Sequence, residues 1–188
     1  ELVMKERFAL PSLSHWLGCD EVGRDILSRI LYRAKFTLSI GILSTAFSAV
    51  FGIILGAVSG YFGGKIDTLI MRILDIFQAF PNILLAIAIS TVLGKGFDKV
   101  IYAIGISGIP AFARMMRANI LTVRNSEFIE AASSINCTTF RIISKHVIPN
   151  AISPLIVQIA MGIASSALAA SGLSFLGFGV QAPTPEWG

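Results

Sequence analysis

The sequence predicts an all-α membrane protein, a polytopic helical bundle, on three observations. Apolar residues make up 54% of its 188 positions and charged residues only 14%, against about 25% charged in an average soluble domain. The charged residues fall in blocks that separate long apolar runs, and the mean hydropathy is +0.77. Small residues recur every four positions inside two of those runs, the spacing that lets membrane helices approach closely. The net charge of +4 is modest and its basic residues sit beside the apolar runs. That arrangement fits lipid headgroups or a protein partner better than nucleic acid.

Residues 1–35 are mixed polar and amphipathic. Within them Ile26, Leu27, Ile30 and Leu31 share one helical face and Arg24, Ser28 and Arg29 another, which predicts a helix lying at the bilayer surface. The first span is expected over about 36–60, a stretch without a charge and long enough to cross a hydrocarbon core of about 30 Å. Gly52, Gly56 and Gly60 make its small-residue stripe, read as a helix-packing surface. A turn at 61–65 leads to a second span over about 66–93, in which Pro81 can introduce a kink.

Asp75, Gln78 and Asn82 have i, i+3, i+7 spacing in that span and are expected on one face. Polar groups at membrane depth are costly and face a bundle interior or a watery path. The face is therefore a candidate border of a translocation pathway. It suits equally an interhelical hydrogen-bonding role or an Arg72–Asp75 pair at headgroup level.

After a turn at 94–99, a short third span is expected over about 100–116, with Pro110 near its middle and Arg114 and Arg117 marking its end. A polar loop over 117–150 follows, then a fourth span over about 151–180. In the latter Gly162, Ser166 and Ala170 form a second small-residue stripe, and Ser153-Pro154 suits a helix start with Ser as N-cap. The loop itself has helical patterning. Asn125 or Ser126 can cap a helix beginning near Glu127, and Glu127 and Glu130 then lie in its first turn, where the macrodipole favours negative charge. Phe128, Ile129, Ala132 and Ile135 give it an apolar face. Asn136-Cys137-Thr138 reads as a break, and 140–148 as a second helix ended by Pro149. Helix, break and helix make a compact knob, suited to being held by another protein or to lying as an amphipathic hairpin on the membrane.

Four spans place 1–35, 94–99 and 181–188 on one side and 61–72 and 114–150 on the other. Lys plus Arg then number eight (six in 1–35, two in 94–99) against seven (two and five), so the positive-inside rule gives no orientation. Cys19 and Cys137 fall on opposite sides, which argues against their pairing, and neither has a metal-ligand spacing. His15 and His146 are likewise separated, so no metal site is expected. The stretch from Gly60 to Lys65 comes nearest to a phosphate-binding loop, but its spacing is wrong and Ile66 replaces the Ser or Thr. An intramembrane enzyme would need converging nucleophile and base, and the span serines lack a base. A secondary transporter would be expected to show internal repeats, and none is evident.

The motifs resemble one family. Glu130-Ala131-Ala132, three residues, position 136 and then Ile148-Pro149-Asn150 resemble the EAA loop of ABC-importer permease subunits, with Asn136 where that family has Gly and Ile148 where it has Leu. Asn is the non-glycine residue that best tolerates a left-handed backbone, so the turn can survive. The segment from His15 to Asp25 resembles the H-x-L-G-T-D-x-x-G-R-D signature of the second, C-type permease of dipeptide, oligopeptide and nickel importers, with Cys19 in the Thr place. Gly60-Tyr61-Phe62-Gly63-Gly64, Ala79-Phe80-Pro81, His146 with Pro149-Asn150, Ser174-Phe175-Leu176-Gly177 and Pro183-Thr184-Pro185 with Trp187-Gly188 match in order.

This resemblance implies a type I ABC importer permease fold with a cytoplasmic coupling loop at 117–150 and an extracytoplasmic segment at 1–35, in a bacterial or archaeal cytoplasmic membrane. It implies import of di- or oligopeptides, with nickel as the alternative cargo. Glu127, Glu130, Ala131, Ala132, Asn136 and Pro149 would form the ATPase-coupling loop. The implied partners are a second permease subunit forming a heterodimer, two ATP-binding subunits and an extracytoplasmic substrate-binding protein. No cofactor is expected in this chain, since ATP and Mg would be held by the ATPase subunits. The chain begins at Glu1, and relative to that family it is expected to lack the first and last spans of a longer subunit.

Overall fold

The computed structural model describes residues 7–179. Their regular structure is helical: α1 Ile26–Phe62, α2 Gly64–Gln78, α3 Asn82–Leu93, α4 Phe97–Val123, α5 Glu127–Ser134, α6 Thr139–Ile142, α7 Ile148–Ala151 and α8 Ser153–Phe175. A π-helical turn, Ile143–Val147, joins α6 to α7.

α1 is the spine. The expected surface helix near Asp25–Tyr32 is not a separate element, because α1 runs unbroken for 37 residues, about 55 Å at 1.5 Å per residue. Asp25 explains where it starts. Its carboxylate accepts from the Ser28 N–H at 2.7 Å as the N-cap, and it also meets His15 Nδ1 at 3.2 Å. The residues before it fold into a compact head around Asp20, whose carboxylate accepts from the backbone of Val22 and Arg24 at 2.9 Å each and from the Arg24 and Arg29 side chains. The His15–Asp25 signature is thus the stopper at one end of α1. Cys19 is buried in this head, and Cys137 is half-buried in the knob.

Hydrophobic association gains nothing between helices already in lipid, so close packing of small residues must hold them. Both stripes do this. A Cβ on Gly52 would collide with Phe112, one on Gly56 with the Ala113 carbonyl, and one on Gly60 would lie 3.0 Å from Ile120 Cβ, so this stripe is the seam between α1 and α4. On α8, Gly162 faces Thr45, Ser166 Oγ shares a 3.1 Å hydrogen bond with Thr45 Oγ1, and Ala170 is buried with Ile40. α8 therefore seats on a neighbouring face of α1. Ser48 Oγ donates to the Gly105 carbonyl at 2.6 Å, inside the α1–α4 seam.

Among the described residues two helices, α1 and α8, can cross a membrane by length and apolarity, or three spans result if the bent pair α2 and α3 counts as one. The expected four includes α4, whose apolar middle is diluted by Asp98 and Lys99 at one end and Arg114 and Arg117 at the other. As a helix, α4 runs on past those arginines, where the span was expected to end. It continues to Val123, since arginine favours helix and both guanidinium groups find carboxylates on α2. The expected kink at Pro81 is larger than a kink: α2 and α3 meet at 89°.

α8 begins one residue off the expected register, with Ile152 as N-cap and Pro154 in its first turn. Its far end closes through Gly177, whose φ of +81° lets the Phe178 N–H reach back to the Leu173 carbonyl at 2.9 Å. Ser90 Oγ of α3 then donates to the Phe178 carbonyl at 2.8 Å. The expected segment 181–188, with its Pro183–Gly188 motif, lies outside the described residues.

Candidate functional site

Two regions near the C-terminal end of α4 gather charged groups. The first is the knob formed by α5, its turn and the helix that follows. α5 starts at Glu127, but Ser126 does not cap it with its side chain. The Ser126 hydroxyl donates to the Val123 carbonyl at 2.6 Å, and its carbonyl accepts from Ile129 and Glu130. Ile129 and Ala132 point inward to a cluster with Met116, Ile120, Ile142, Val147, Ala151 and Leu155, so the knob is seated on the ends of α4 and α8.

The expected apolar face of Phe128, Ile129, Ala132 and Ile135 is divided by this seating. Phe128 and Ile135 are exposed, Ile135 at 76%, and Phe140 joins them at 81%. Glu127, Glu130 and Ala131 lie on the open surface, whereas Ala132, expected as part of the coupling loop, is buried. Ala132 lies three residues, about 300°, beyond the buried Ile129 and so returns to the inward face, while Ala131 falls outside it. The open surface therefore combines exposed apolar side chains with a small residue and two carboxylates.

Asn136 sets the geometry of the break. Its φ is +57°, the left-handed conformation expected for the residue in the glycine place. With Asn136 there, the Cys137 N–H returns to the Ala132 carbonyl at 3.2 Å and the Ile135 N–H to Ala131 at 3.3 Å, closing α5. Pro149 does not end the second helix as expected. The helix widens into the π turn at Ile143–Val147, and Pro149 enters at the start of α7, where its missing N–H is tolerated. Asn150 Nδ2 then donates to the His146 carbonyl at 2.6 Å. Pro149 is exposed. Beside the knob lies a cavity of about 540 Å³ lined by Tyr61, Arg124, Asn125, Ser126, Ile129 and Glu130. Arg124 Nη1 spans to the Gly60 carbonyl at 3.2 Å, tying the knob's root to the end of α1.

The second region is the cleft between α2 and α4. The expected common face of Asp75, Gln78 and Asn82 does not exist. α2 ends at Gln78, and Asn82 opens α3 beyond the 89° bend. Nor does Asp75 pair with Arg72. Arg114 Nη2 donates to Asp75 Oδ1 at 2.5 Å, with both side chains about half exposed.

Two turns earlier on α2, Asp67 receives both Nε and Nη2 of Arg117, at 2.6 and 2.5 Å, and the Ser59 hydroxyl as well. Sequence reasoning missed Asp67 and treated Arg114 and Arg117 only as the end of a span. The available signal was electrostatic: two carboxylates in one apolar segment and two guanidinium groups in another need partners at membrane depth. The cleft these groups line has a volume of about 470 Å³, with Thr68, Met71 and Arg72 completing its wall.

Comparison with known proteins places these features in context. Residues 52–188 match the family model described as binding-protein-dependent transport system inner membrane component. The dipeptide transport system permease protein DppC of Alkalihalophilus pseudofirmus is 46% identical over 178 residues, which are 95% of this chain and 59% of the relative. The glutathione transport system permease protein GsiD is 44% identical in Pectobacterium atrosepticum and 48% in Escherichia coli, with the same 95% and 59% coverage. The chain thus spans about three fifths of the length of these curated relatives. Among solved structures, an inward-facing MetNI methionine ABC transporter superposes with a TM-score of 0.70 at 21% identity, over 82% of this chain and 77% of that one. At that identity the likeness is one of fold.

Proposed function

The chain belongs to the binding-protein-dependent transport system inner membrane component family, and from that premise we propose that it is part of the permease subunit of an ABC importer for short peptides. The family places it among transport components rather than membrane enzymes. The single observation that carries the cargo class is the identity of 44–48% to permeases named for dipeptide and glutathione transport. Glutathione is itself a tripeptide, so both names point to short peptides.

In this reading the knob at Glu127–Asn150 is the coupling element, and its side of the bundle faces the cytoplasm. Phe128, Ile135 and Phe140 supply exposed apolar contacts, Glu130 a charged one and Ala131 a site of close approach. Because Ile129 and Ala132 are buried against α4 and α8, a push on the knob is delivered to those helices as a rigid unit. The partner would be an ATP-binding subunit that also holds the ATP and Mg. A second permease, a second ATP-binding subunit and an extracytoplasmic binding protein complete the assembly, in a bacterial inner membrane. The bent α2–α3 segment and its charged cleft border the path for cargo, as a feature of α2 and α4 together rather than of one helical face.

The test is reconstitution of the full-length subunit with the permease and ATPase encoded beside it. ATP hydrolysis stimulated by peptide-loaded binding protein supports the reading. Stimulation by nickel-loaded binding protein alone would replace it with nickel import.

A further inference from the structure

We infer that the cleft between α2 and α4 is a transient station for the charged termini of a peptide, with Arg72 and Arg114 taking its carboxylate and Asp75 its ammonium group. This rests on the peptide-importer reading and adds to it a site. The cleft's volume of about 470 Å³ falls in the range of about 300–1,000 Å³ typical of ligand pockets. Its wall holds three guanidinium groups, Arg72, Arg114 and Arg117, against two carboxylates, Asp67 and Asp75.

The two ion pairs differ in kind. Asp67 is used fully, by a bidentate Arg117 and by Ser59, and its side chain is 17% exposed. That pair is an anchor. The Asp75–Arg114 pair has a single contact and both side chains are about half exposed in the cleft, so it is held by fewer bonds than the anchor and can exchange partners with an incoming ion. Arg72 lines the same wall, is exposed, and has no carboxylate partner among the described residues.

A zwitterion can exchange with the open pair without leaving a charge uncompensated. Its ammonium replaces Arg114 at Asp75, and its carboxylate takes the released guanidinium together with Arg72. Charge is conserved at each stage, which suits a site that must release what it binds. Phosphatidylglycerol presents only the anionic half of this chemistry and leaves Asp75 to the arginine.

The experiment uses the full-length subunit with its partner permease and ATPases, in nanodiscs of phosphatidylcholine and phosphatidylglycerol. Met71, in the cleft wall, is changed as Met71→benzoylphenylalanine. Peptide-loaded binding protein and ATP are added under light, and adducts are read by mass spectrometry. A peptide adduct at position 71 is expected. It should fall about tenfold in Arg72→Gln, the scale of one charge-assisted hydrogen bond, and return in Arg72→Lys. Lys65→Gln, on the same helix but outside the cleft, should leave the yield unchanged. Adducts to phosphatidylglycerol only, or a peptide yield indifferent to Arg72→Gln, overturn the site. Hydrolysis by the unsubstituted complex separates the two readings. Stimulation without a peptide adduct removes the site alone, while no stimulation removes the importer.

Discussion

At residue scale, a few side chains have one job that chemistry leaves little room to change. Gly56 meets the Ala113 carbonyl and Met116 Cβ across the α1–α4 seam. Gly56→Val should cost about 1–3 kcal/mol by overpacking, seen as a lower thermal midpoint of the assembled complex in detergent, with Gly64→Ala, where nothing lies within reach of a Cβ, as the comparison for backbone strain alone. At Asn136, φ +57° costs an ordinary L-residue about 1–2 kcal/mol. Asn136→Gly should therefore hold or raise stability, and Asn136→Val should lower it by that amount, read as protease sensitivity of the knob.

Asp20 gives a pH signature. Hydrogen bonds from the Arg24 and Val22 backbone, with the Arg24 guanidinium, hold its carboxyl far below the usual range, and bonds from Ser28 lower Asp25 as well. A carboxyl depressed on folding stabilises the head of α1 fully at neutral pH. That contribution fades as pH falls below about 4, where the unfolded carboxyl would take up a proton first. Amide exchange over residues 18–28 should be slow at pH 7 and quicken at pH 3, after correction for intrinsic rates, and Asp20→Asn should shrink that difference to the part Asp25 supplies. The stripes and the left-handed Asn136 were legible in sequence because each depends on one residue's size or backbone freedom. The partner of Asp75 was not, because it lies 39 positions away on another helix.

At the scale of elements, α2 is the least embedded long helix, with Leu74 its buried residue and Ile66, Leu69, Ile73 and Ile76 all exposed. Ion pairs to α4 must then do much of the work of holding it. Asp67→Asn removes a charge-assisted, bidentate bond from a partly exposed site and should destabilise the α2–α4 contact by about 1.5–3 kcal/mol. A cysteine cross-link between the two helices would form more slowly in that variant, and the exchange Asp67→Arg with Arg117→Asp should restore it. An intact cross-link rate in Asp67→Asn would assign the seam to packing instead. Hydropathy locates Pro81 as a break but carries no angle, so 89° was not foreseeable. The π turn before Pro149 was hidden for a related reason: a proline can be met by ending a helix or by widening it, and local sequence does not choose.

At the scale of the whole molecule, α1 gathers α4 and α8 through small residues, while Leu38, Ile42, Val50, Ile54, Ile156, Val157 and Leu168 remain exposed. In lipid such faces are in their own solvent, and it is the polar knob and charged cleft to which the proposed function assigns the work. The fold class was legible because apolar runs separated by charged blocks dictate a helical bundle. Sidedness was not, since eight basic residues balance seven. The central claim is that the knob couples ATP hydrolysis to movement of the bundle. It is tested most directly by ATPase assay of the reconstituted full-length complex, with and without peptide-loaded binding protein, comparing the native subunit with Glu130→Lys and Ala131→Trp. The account predicts strong stimulation in the native complex, and in both variants normal membrane insertion with stimulation and peptide uptake reduced at least about tenfold, the effect of one lost charged or close-packed contact at an interface centre. Full stimulation and uptake in both variants would contradict it.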